Sequence, residues 1–447
     1  MSFTLILYHF SLILHLIDFR CIEDYSICSG HQCSNTLGGF ECQCSIGFIV
    51  INDECVRNSS NNHSNQMIFT ANNLIQSMQW SSKDFDSAPK ISNSSILFDY
   101  NQNTGDDNDF ESHLIFAYNL DSNYFVSSNQ QGQLYLDRLD KNRPIGLEQK
   151  LTVPVVLAQC RHRIGNLAID WINHLIYLIN MDLNRIEVIK LFKPNMVMIF
   201  VENVQKAQDL EVNPLESWIV WSESNRIVRQ SQDGNEQIIL TDQVIQPTGL
   251  KIDFLTGRIY WLDAGHHSLN SINFDGSDQR IIIQSKRYLE NPLDIDLFDN
   301  QAFWTNLQTG SIYTANKFGG NSGRVYELFP NKNEHQNVTY IETLDSYKQP
   351  RNDSYKCPLN CPYRCDPITA ECYCPKPYII CLDKINGDDG RCQLDQCLAI
   401  NRMTNEMFNL TYCLLLLSLV VFLILCLLYR CFDKIRRYRY AKFPILE

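Results

Sequence analysis

The 447-residue sequence has no excess of basic residues, and it has almost no cysteine over most of its length. Lys and Arg total 38 against 50 for Asp and Glu, a net charge of −12 at pH 7. Nucleic-acid-binding proteins usually present a basic face, so this balance argues against that class and leaves room for basic ligands, metal ions or a cationic protein surface. Of the 18 cysteines, only Cys160 lies between Cys55 and Cys357. This distribution is rare in cytosolic enzymes and indicates small disulfide-stapled modules on either side of a large core.

Charge is absent from residues 410–429, which are long enough at ~1.5 Å per residue to cross a bilayer as a helix. Six basic residues follow in 430–447, against Asp433 and Glu447 only. Positive-inside bias then predicts a transmembrane helix over 410–429, a cytoplasmic tail over 430–447 and an extracellular N-terminus. We therefore predict a type I single-pass plasma-membrane protein. The alternative is a buried core helix.

The N-terminal segment 1–20 has an apolar run, Phe3–Ile17, but no basic residue before it and no small-residue cleavage site before Arg20. We interpret it as a signal peptide; the alternative is a truncated N-terminus that begins inside a longer protein. Asn-x-Ser/Thr sequons agree with secretion and predict glycosylation. The predicted glycosylation sites are Asn58, Asn62, Asn93, Asn337 and Asn352; a sixth sequon, at Asn409, is predicted to be unused because it lies against the bilayer.

Residues 21–55 contain six cysteines, with Gly38-Gly39 and Gly47 between them. This spacing resembles an EGF-like module. The resemblance implies the pairs Cys21–Cys33, Cys28–Cys42 and Cys44–Cys55. So short a segment cannot bury an adequate core, and the disulfides must carry its fold.

The stretch Cys33–Cys44 also resembles calcium-binding EGF modules around their hydroxylated Asn, which is Asn35 here. The resemblance implies a calcium site formed by Asn35, Glu23 and backbone carbonyls, since calcium requires several oxygen ligands. Arg20 stands where such modules carry an acid. The alternative is a disulfide module without metal.

An internal repeat with a period near 42 residues runs through the middle of the chain. Its copies are Leu167–Asn180, Leu210–Glu223, Leu250–Asp263 and Ile295–Asn306, and a weaker copy covers 120–128. One unit contains four short alternating strands separated by turn residues, which predicts a blade of a β-propeller. The span 66–356, less a polar segment 74–110 interpreted as an insert, accommodates six blades.

The segments Tyr260-Trp-Leu-Asp263 and Phe303-Trp-Thr-Asn306 resemble the YWTD propeller of the low-density-lipoprotein receptor family. The resemblance implies an all-β fold: a six-bladed YWTD-type β-propeller flanked by disulfide-rich EGF-like modules, plus one transmembrane α-helix. It also implies that the signature residues are structural. These are Tyr177, Trp221, Tyr260, Trp261, Asp263, Phe303 and Trp304.

A second cysteine module, 357–397, resembles the EGF-like module that closes such propellers, and a stalk, 398–409, follows it. Its expected disulfide cysteines are Cys357, Cys361, Cys365, Cys372, Cys374 and Cys392, with connectivity left open. Cys381 and Cys397 are extra. The module is expected to pack beneath the propeller.

The tail lacks the Asn-Pro-x-Tyr signal of the family but contains Tyr440-x-x-Phe443, which resembles a clathrin-adaptor motif. The alternative is a basic segment resting on anionic lipid. Cys426 and Cys431 are candidate palmitoylation sites.

The sequence contains no compelling catalytic set, and the adjacent His266 and His267 do not make a metal site by themselves. We therefore predict a non-enzymatic receptor for an extracellular protein or lipoprotein ligand, with uptake through a clathrin adaptor and no cofactor besides calcium. The first alternative is a propeller-based co-receptor or adhesion module, similar to a Wnt co-receptor, without cargo uptake. A metal-dependent propeller hydrolase is a remote alternative.

Overall fold

A computed structural model gives the architecture of the chain. It describes residues 28, 32–36, 39–44, 48–51, 54–57, 66–71, 74–81, 90–99, 115–119, 124–129, 132–138, 155–159, 162–191, 193–319, 324–328, 338–350, 361, 363–365, 372–376, 378–380, 397–399 and 430.

The N-terminal module contains two β-hairpins stapled by disulfides. Its strands are β1 (Gln32–Thr36), β2 (Gly39–Gln43), β3 (Phe48–Ile51) and β4 (Glu54–Arg57). The disulfides Cys28–Cys42 and Cys44–Cys55, with Cα–Cα distances of 5.3 and 5.4 Å, confirm two of the expected pairs. Cys21 lies outside the described residues, so the third pair stays a prediction.

The centre of the chain forms six four-stranded antiparallel sheets in its described part. Blade 1 contains β5 (Gln66–Ala71), β6 (Leu74–Ser81) and β7 (Lys90–Asp99); blade 2 contains β8 (Ile115–Asn119), β9 (Tyr124–Ser128), β10 (Gln133–Arg138) and β11 (Val155–Gln159). Blade 3 contains β12 (Ile164–Asp170), β13 (Leu175–Asn180), β14 (Arg185–Lys190) and β15 (Lys193–Val201); blade 4 contains β16 (Leu210–Asn213), β17 (Trp218–Glu223), β18 (Arg226–Ser231) and β19 (Gln237–Thr241).

Blade 5 contains β20 (Pro247–Asp253), β21 (Arg258–Asp263), β22 (Ser268–Asn273) and β23 (Arg280–Gln284). Blade 6 contains β24 (Pro292–Phe298), β25 (Gln301–Asn306), β26 (Ser311–Asn316) and β27 (Tyr326–Glu327). The fourth strand of blade 1 is β28 (Val338–Thr343), and a 3-10 turn, Ser346–Lys348, follows it.

The ring closes by joining the two ends of the propeller chain in one sheet. Strand β28 pairs antiparallel with β5 and becomes the innermost strand of blade 1. The inner strands β8, β12, β16, β20, β24 and β28 then contact one another in sequence around a central channel. The six-bladed all-β prediction is confirmed.

The repeat alignment also holds in three dimensions. Leu178, Trp221, Trp261 and Trp304 lie on the second strand of four successive blades and pair with Leu167, Leu210, Leu250 and Ile295 of the inner strand. Between the first two strands of blade 5, Asp253 accepts a hydrogen bond from the Leu255 N–H at 3.2 Å. Gly257 completes this turn at φ +65°, a conformation that favours glycine.

The prediction that 74–110 is an insert is wrong for about half of that segment. Residues 74–81 and 90–99 are β6 and β7, the two outer strands of blade 1. The polar composition of 74–110 suggests an insert, yet β6 buries Ile75, Met78 and Trp80 in hydrophobic clusters that it shares with blades 2 and 6.

The second cysteine module contains β29 (Arg364–Cys365), β30 (Cys372–Tyr373), β31 (Tyr378–Ile380) and β32 (Cys397–Ala399). Cys361 and Cys372 form a disulfide, and Cys365 and Cys374 are each disulfide-bonded. In the part of the chain that the structure describes, no helix is both long and apolar enough to cross a membrane. The segment 410–429 lies outside that part.

Candidate ligand-binding face and central channel

The propeller has two faces that the strand connections define. We call lower the face that carries the turns between the first and second strands of each blade, such as 171–174 and 214–217. We call upper the face that carries the turns between the second and third strands, such as 181–184, 264–267 and 307–310.

The signature residues are core residues, as the resemblance implied. Trp221, Trp261 and Trp304 have no exposed surface, and Tyr177, Tyr260 and Phe303 are at most 1% exposed. Trp221 donates its indole N–H to Glu223 at 2.9 Å, and Trp304 donates to the Tyr288 carbonyl at 3.0 Å. These side chains hold neighbouring strands together and leave no surface for a ligand.

Asp263, the last residue of the best signature copy, joins two loops of the upper face. Its carboxylate accepts hydrogen bonds from the backbone N–H groups of Ile245 at 3.0 Å, Gln246 at 3.1 Å and Gly265 at 3.0 Å, and it contacts the His266 ring at 2.7 Å. Burial raises the pKa of Asp263, but the hydrogen bonds from His266 and the backbone outweigh it, so this pKa lies below its ordinary value. Asp263 is therefore structural.

Three other blades carry a polar residue at the Asp263 position that the sequence analysis did not select. Asn180 accepts a hydrogen bond from Leu183 N–H at 3.0 Å, and Asn306 accepts one from Gln308 N–H at 2.9 Å. Glu223 accepts one from the Arg226 side chain at 2.7 Å. The repeat alignment contained this signal, since each aligned copy ends in Asn, Glu or Asp.

Tyr177 has a role besides blade packing, because it joins the propeller to the second cysteine module. Its hydroxyl lies 2.5 Å from that of Tyr363 and accepts a hydrogen bond from Gln232 at 2.8 Å. The hydroxyl of Tyr363 donates to the Gln232 carbonyl at 2.8 Å. Burial raises the pKa of Tyr177, so both phenols stay protonated.

Arg364, next to this phenol pair, is fully buried at the lower face. Its guanidinium donates to the Pro214 carbonyl at 3.1 Å and the Ser217 hydroxyl at 3.0 Å, and it lies 3.4 Å from the Asp170 carboxylate. A buried guanidinium needs such partners to offset its lost hydration. The prediction that the second module packs beneath the propeller agrees with these contacts.

The first module also reaches the lower face, where the ring of Phe48 lies 5.1 Å from that of Tyr347. The segment 345–350 then crosses the lower mouth of the channel. Gln349 donates to the Tyr118 carbonyl at 2.7 Å, and Trp171 donates to the Pro350 carbonyl at 3.3 Å. The described contacts of both modules with the propeller therefore lie on its lower face.

The channel is lined by two layers of side chains, one residue per inner strand in each layer, because alternate residues of a strand face the same side. The lower layer is Ala117, Ala168, Glu211, Lys251, Asp296 and Glu342. The upper layer is Ile115, Asn166, Asp209, Gly249, Asp294 and Tyr340. At Gly249 a side chain is excluded, since a Cβ there would lie 2.7 Å from the Ile295 nitrogen.

The lower layer is a buried ion network. Lys251 lies 2.8 Å from Glu211, 2.6 Å from Glu342 and 3.7 Å from Asp296. Lys348, from the segment that closes the channel, pairs with Asp296 and lies 2.8 Å from Glu342. Lysine side chains thus fill the lower end of the channel.

The carboxyl groups of Glu211, Asp296 and Glu342 share two lysines here. The pKa values of Asp296 and Glu342 shift in opposite directions. Burial raises the pKa of Glu342, but Lys251 and Lys348 outweigh it, and this pKa lies below its ordinary value. Burial and then the charge of Glu342 raise the pKa of Asp296. Asp296 therefore keeps its proton to a higher pH than Glu342 does.

The upper end of the channel is a pit of about 300 Å³ beneath the upper face. Apolar side chains form much of its wall, and Asn166, Asp209, Asp294 and Tyr340 lie at its floor. Burial raises the pKa of Asp209 and of Asp294. The charge of Glu211 adds to this effect at Asp209, and the charge of Asp209 adds to it at Asp294. The pit is the main concave feature on the face opposite the modules.

Large apolar side chains on the upper face are exposed around this pit. Ile245 is 59% exposed, Leu183 56%, Leu307 42% and Met181 41%. Apolar side chains exposed together on one face are typical of protein interaction sites, whereas single scattered ones are ordinary. This face has the features of a docking surface.

The described residues contain no group of three or more His, Cys, Asp and Glu side chains placed to hold a metal ion. His266 contacts Asp263, whereas the His267 ring lies 3.1 Å from the Leu289 carbonyl, so the two rings have different partners. For the predicted calcium site, Asn35 lies on β1, and Glu23 lies outside the described residues. That site stays a prediction.

Other predicted sites also fall outside the described residues. They are the sequons at Asn58, Asn62, Asn337 and Asn352, the pair Tyr440 and Phe443, and Cys426 and Cys431. Asn93 lies on β7, the outermost strand of blade 1.

The channel residues were not predicted from the sequence, although the repeated segments contain a signal for them. The residue after the aligned Leu or Ile is Glu211, Lys251 and Asp296 in three successive copies. Charges of both signs at one repeat position suggest that they meet at the axis, because equivalent residues of a propeller face each other there.

Comparisons with known proteins agree with this architecture. Residues 257–298 match the low-density lipoprotein receptor repeat class B. The matched stretch runs from the second strand of blade 5 to the first strand of blade 6. Among solved structures, a chain in the crystal structure of a nidogen/laminin complex has the same fold, with a TM-score of 0.51, 15% identity and coverage of 62% of this chain and 98% of that one.

Similar curated proteins are receptors. The vitellogenin receptor Yl of Drosophila melanogaster is 24% identical over 68% of this chain and 15% of its own length, and the vitellogenin receptor of Solenopsis invicta is 26% identical over 39% and 10%. The human low-density lipoprotein receptor-related protein 5-like protein is 24% identical over 37% of this chain and 66% of its own. The chain thus spans a small part of the two vitellogenin receptors.

The repeat match, the receptor relatives and the six-bladed fold confirm the resemblance drawn from the sequence. The chain carries a low-density lipoprotein receptor class B repeat within a six-bladed propeller, a disulfide-rich module precedes the propeller, and the similar curated proteins are receptors and not enzymes.

Proposed function

We propose that the chain is a single-pass plasma-membrane receptor that binds an extracellular protein or lipoprotein ligand on the upper face of its propeller. The observation that carries the proposal is the location of the module contacts. Phe48, Tyr363 and Arg364 meet the propeller at the lower face, while the pit and four of the exposed apolar side chains lie on the upper one.

Two relatives are named for vitellogenin, which makes a yolk lipoprotein the first ligand to test. The chain displayed on cells should bind vitellogenin. Leu183→Asp and Ile245→Asp should each reduce binding about tenfold or more, since a buried charge at an interface is strongly unfavourable.

Ile281→Asp and Leu215→Asp are the matched controls. Both residues are exposed, Ile281 on the outer strand β23 and Leu215 on the lower face. These variants should bind as well as the unchanged chain. Equal losses from upper-face and control variants would contradict the docking face, and absence of vitellogenin binding would exclude that ligand.

Membrane anchoring through 410–429 and uptake through Tyr440 and Phe443 belong to the same proposal. If an adaptor reads this motif, Tyr440→Ala and Phe443→Ala should slow internalisation of the surface-labelled chain to a similar extent, because both side chains act as anchors of an extended peptide. Tyr438→Ala is the control and should have no effect. Measurement of antibody uptake checks this.

Unchanged uptake in Tyr440→Ala would favour a co-receptor or display function without cargo uptake. In that case replacement of Arg436 and Arg437 should alter the membrane association of the tail, whereas Tyr440 should not.

A further inference from the structure

The channel encloses more carboxyl groups than cations. Three inner strands contribute five carboxyl groups to it: Asp209 and Glu211 on β16, Asp294 and Asp296 on β24, and Glu342 on β28. In the described part of the chain, the cations that reach them are Lys251 and Lys348. Arg163, at the upper rim, is paired with Asp182 at 2.9 Å. Five negative and two positive charges would leave three negative charges in the channel if every group were ionised.

The excess negative charge lies where water compensates it poorly. Asp296 has no exposed surface and Asp209 is 5% exposed, while Lys348 closes the lower end of the channel. Both lysines pair with acids of the lower layer, whereas Asp209 and Asp294 of the upper layer form no ion pair among the described residues. Neighbouring buried carboxyl groups cannot all ionise, and proton binding is the means by which such a cluster loses its excess charge.

The pKa values of the upper acids follow this arrangement. Burial and then the charge of Glu211 raise the pKa of Asp209 to about 8. The backbone N–H of Leu250 and the charge of Lys251 oppose this rise but do not cancel it. Burial and then the charge of Asp209 raise the pKa of Asp294. Burial also raises the pKa of two phenols that face the channel and keeps them uncharged, Tyr118 and Tyr340.

We propose that the channel is an acid-stabilised core: its upper carboxyl groups hold protons at neutral pH, and the propeller resists unfolding more strongly as the pH falls from about 8 to about 6. A receptor that moves from the neutral cell surface into an acidic compartment would keep its propeller folded through that step. The property belongs to the propeller itself, so it goes beyond the proposed ligand binding and holds whether or not the docking face is correct.

The sign of the effect follows from proton linkage. A carboxyl group with a raised folded-state pKa adds stability that is complete below its unfolded-state pKa, near about 4, and is lost as pH rises through the folded-state value. For Asp209 this window extends to about pH 8, and Glu211 and Asp296 act in the same direction. Glu342, whose pKa is lowered, changes stability only below its ordinary value of about 4. His174, on the lower face, has a pKa that burial lowers from 6.5 and opposes the effect there, so the measurement is made above pH 7.

The test measures urea unfolding of the purified full chain in detergent at pH 7 and at pH 8. The equilibrium constant for unfolding should rise at least about tenfold between them, because each proton that only the folded chain holds contributes a factor of about ten per pH unit. Unfolding in weakly buffered urea at pH 7 should also release about one to two protons per chain. An equilibrium constant that does not change with pH, or unfolding without proton release, overturns the proposal.

Variants locate the protons. Asp209→Asn and Asp294→Asn keep an oxygen acceptor for the backbone N–H groups of Leu250 and Ile341, but the amide cannot ionise. Each variant should reduce the rise of the equilibrium constant between pH 7 and pH 8 about tenfold. Asp182→Asn is the matched control. The pKa of Asp182 lies below its ordinary value because Arg163 donates to it, so this variant should keep the full pH dependence.

The same variants distinguish the channel from other titrating groups. Full pH dependence in both channel variants places the protons elsewhere and overturns the assignment. If one variant fails to fold, the other variant and the proton release of the unchanged chain decide the matter.

Discussion

Asp263 shows how one side chain at a repeated position fixes two loops. Its carboxylate meets backbone N–H groups of Ile245 and Gln246 before β20, and those of Gly265 and His266 after β21. Both loops belong to the upper face, where we place ligand binding. The signature residue is therefore outside the binding surface yet determines the shape of that surface.

Replacement of Asp263 tests this role. Asp263→Ala should lower the free energy of unfolding by about 2–3 kcal/mol, because four backbone N–H groups lose a charged, buried acceptor. Asp263→Asn should lower it by about 1 kcal/mol, since the amide oxygen can still accept. Urea unfolding of the full chain measures both. A loss in Asp263→Ala no larger than that in an exposed control such as Asp275→Ala would contradict the role.

The pH dependence of the same variant has a definite sign. The folded-state pKa of Asp263 lies below its ordinary value of about 4, so its contribution is complete above pH 4 and is lost as pH falls through the folded-state pKa. The stability difference between the unchanged chain and Asp263→Asn should therefore be full at pH 6 and should shrink below pH 4. A difference that grows on acidification would contradict this assignment.

Strand β28 and the segment after it close the ring through charge as well as through backbone pairing. Lys348 follows β28 directly and reaches Asp296 on β24 and Glu342 on β28. Lys251 on β20 adds contacts to Glu211 on β16 and to the same Glu342. The inner strands of four blades thus meet in one buried network, which fixes the last strand of the propeller against the earlier ones.

Removal of one lysine from this network should destabilise the folded chain. Lys348→Met should lower the free energy of unfolding by about 3–5 kcal/mol, because it leaves an uncompensated buried charge. The double variant with Glu342→Gln should lose less than the sum of the two single variants, since the second change removes part of the unpaired charge. Thermal and urea unfolding measure the cycle.

Lys286→Met is the control for this cycle. Its side chain is 72% exposed and lies 3.7 Å from Glu290, so the variant should change stability by less than about 0.5 kcal/mol. Strict additivity of Lys348→Met and Glu342→Gln would contradict a shared network.

At the scale of the whole molecule, the second cysteine module and the propeller share a buried interface. Tyr363 and Arg364 have no exposed surface although they belong to the module. The backbone N–H of Lys376 also donates to the Asp233 carbonyl at 3.0 Å. These contacts favour one cooperative unit in which the module is held rigidly beneath the blades.

Arg364→Met tests this coupling. We expect the amides of 361–376 to exchange hydrogen faster, with the free energy of local opening reduced by about 3 kcal/mol, because Asp170 loses its buried partner. Amides of β21 and β25, far from the interface, should keep their protection. Lys376→Met, whose side chain is exposed, is the control. Unchanged exchange in the module would contradict the coupling.

The sequence by itself determined the features that depend on local spacing. Alternating apolar residues and turn residues near a period of 42 specify a strand-turn-strand unit, and the equivalence of Leu178, Trp221, Trp261 and Trp304 followed from it. The pairs Cys28–Cys42 and Cys44–Cys55 were implied by the resemblance of 21–55 to an EGF-like module, and both are present. These features hold because a hairpin or a small disulfide module is built from residues close together in the chain.

Only the tertiary structure decided which distant residues meet. Lys251 and Glu342 are 91 positions apart, and their pairing requires that the ring close with β28 beside β5. The composition of 74–110 predicts an insert, whereas β6 and β7 pair within blade 1, because a local composition does not show which neighbouring strand will pair with a segment. The pit at the upper end of the channel likewise exists only where six inner strands converge, since each strand alone contributes one residue to each layer. Local periodicity therefore determines the strands and turns of each blade, and closure of the ring determines which side chains meet in the channel.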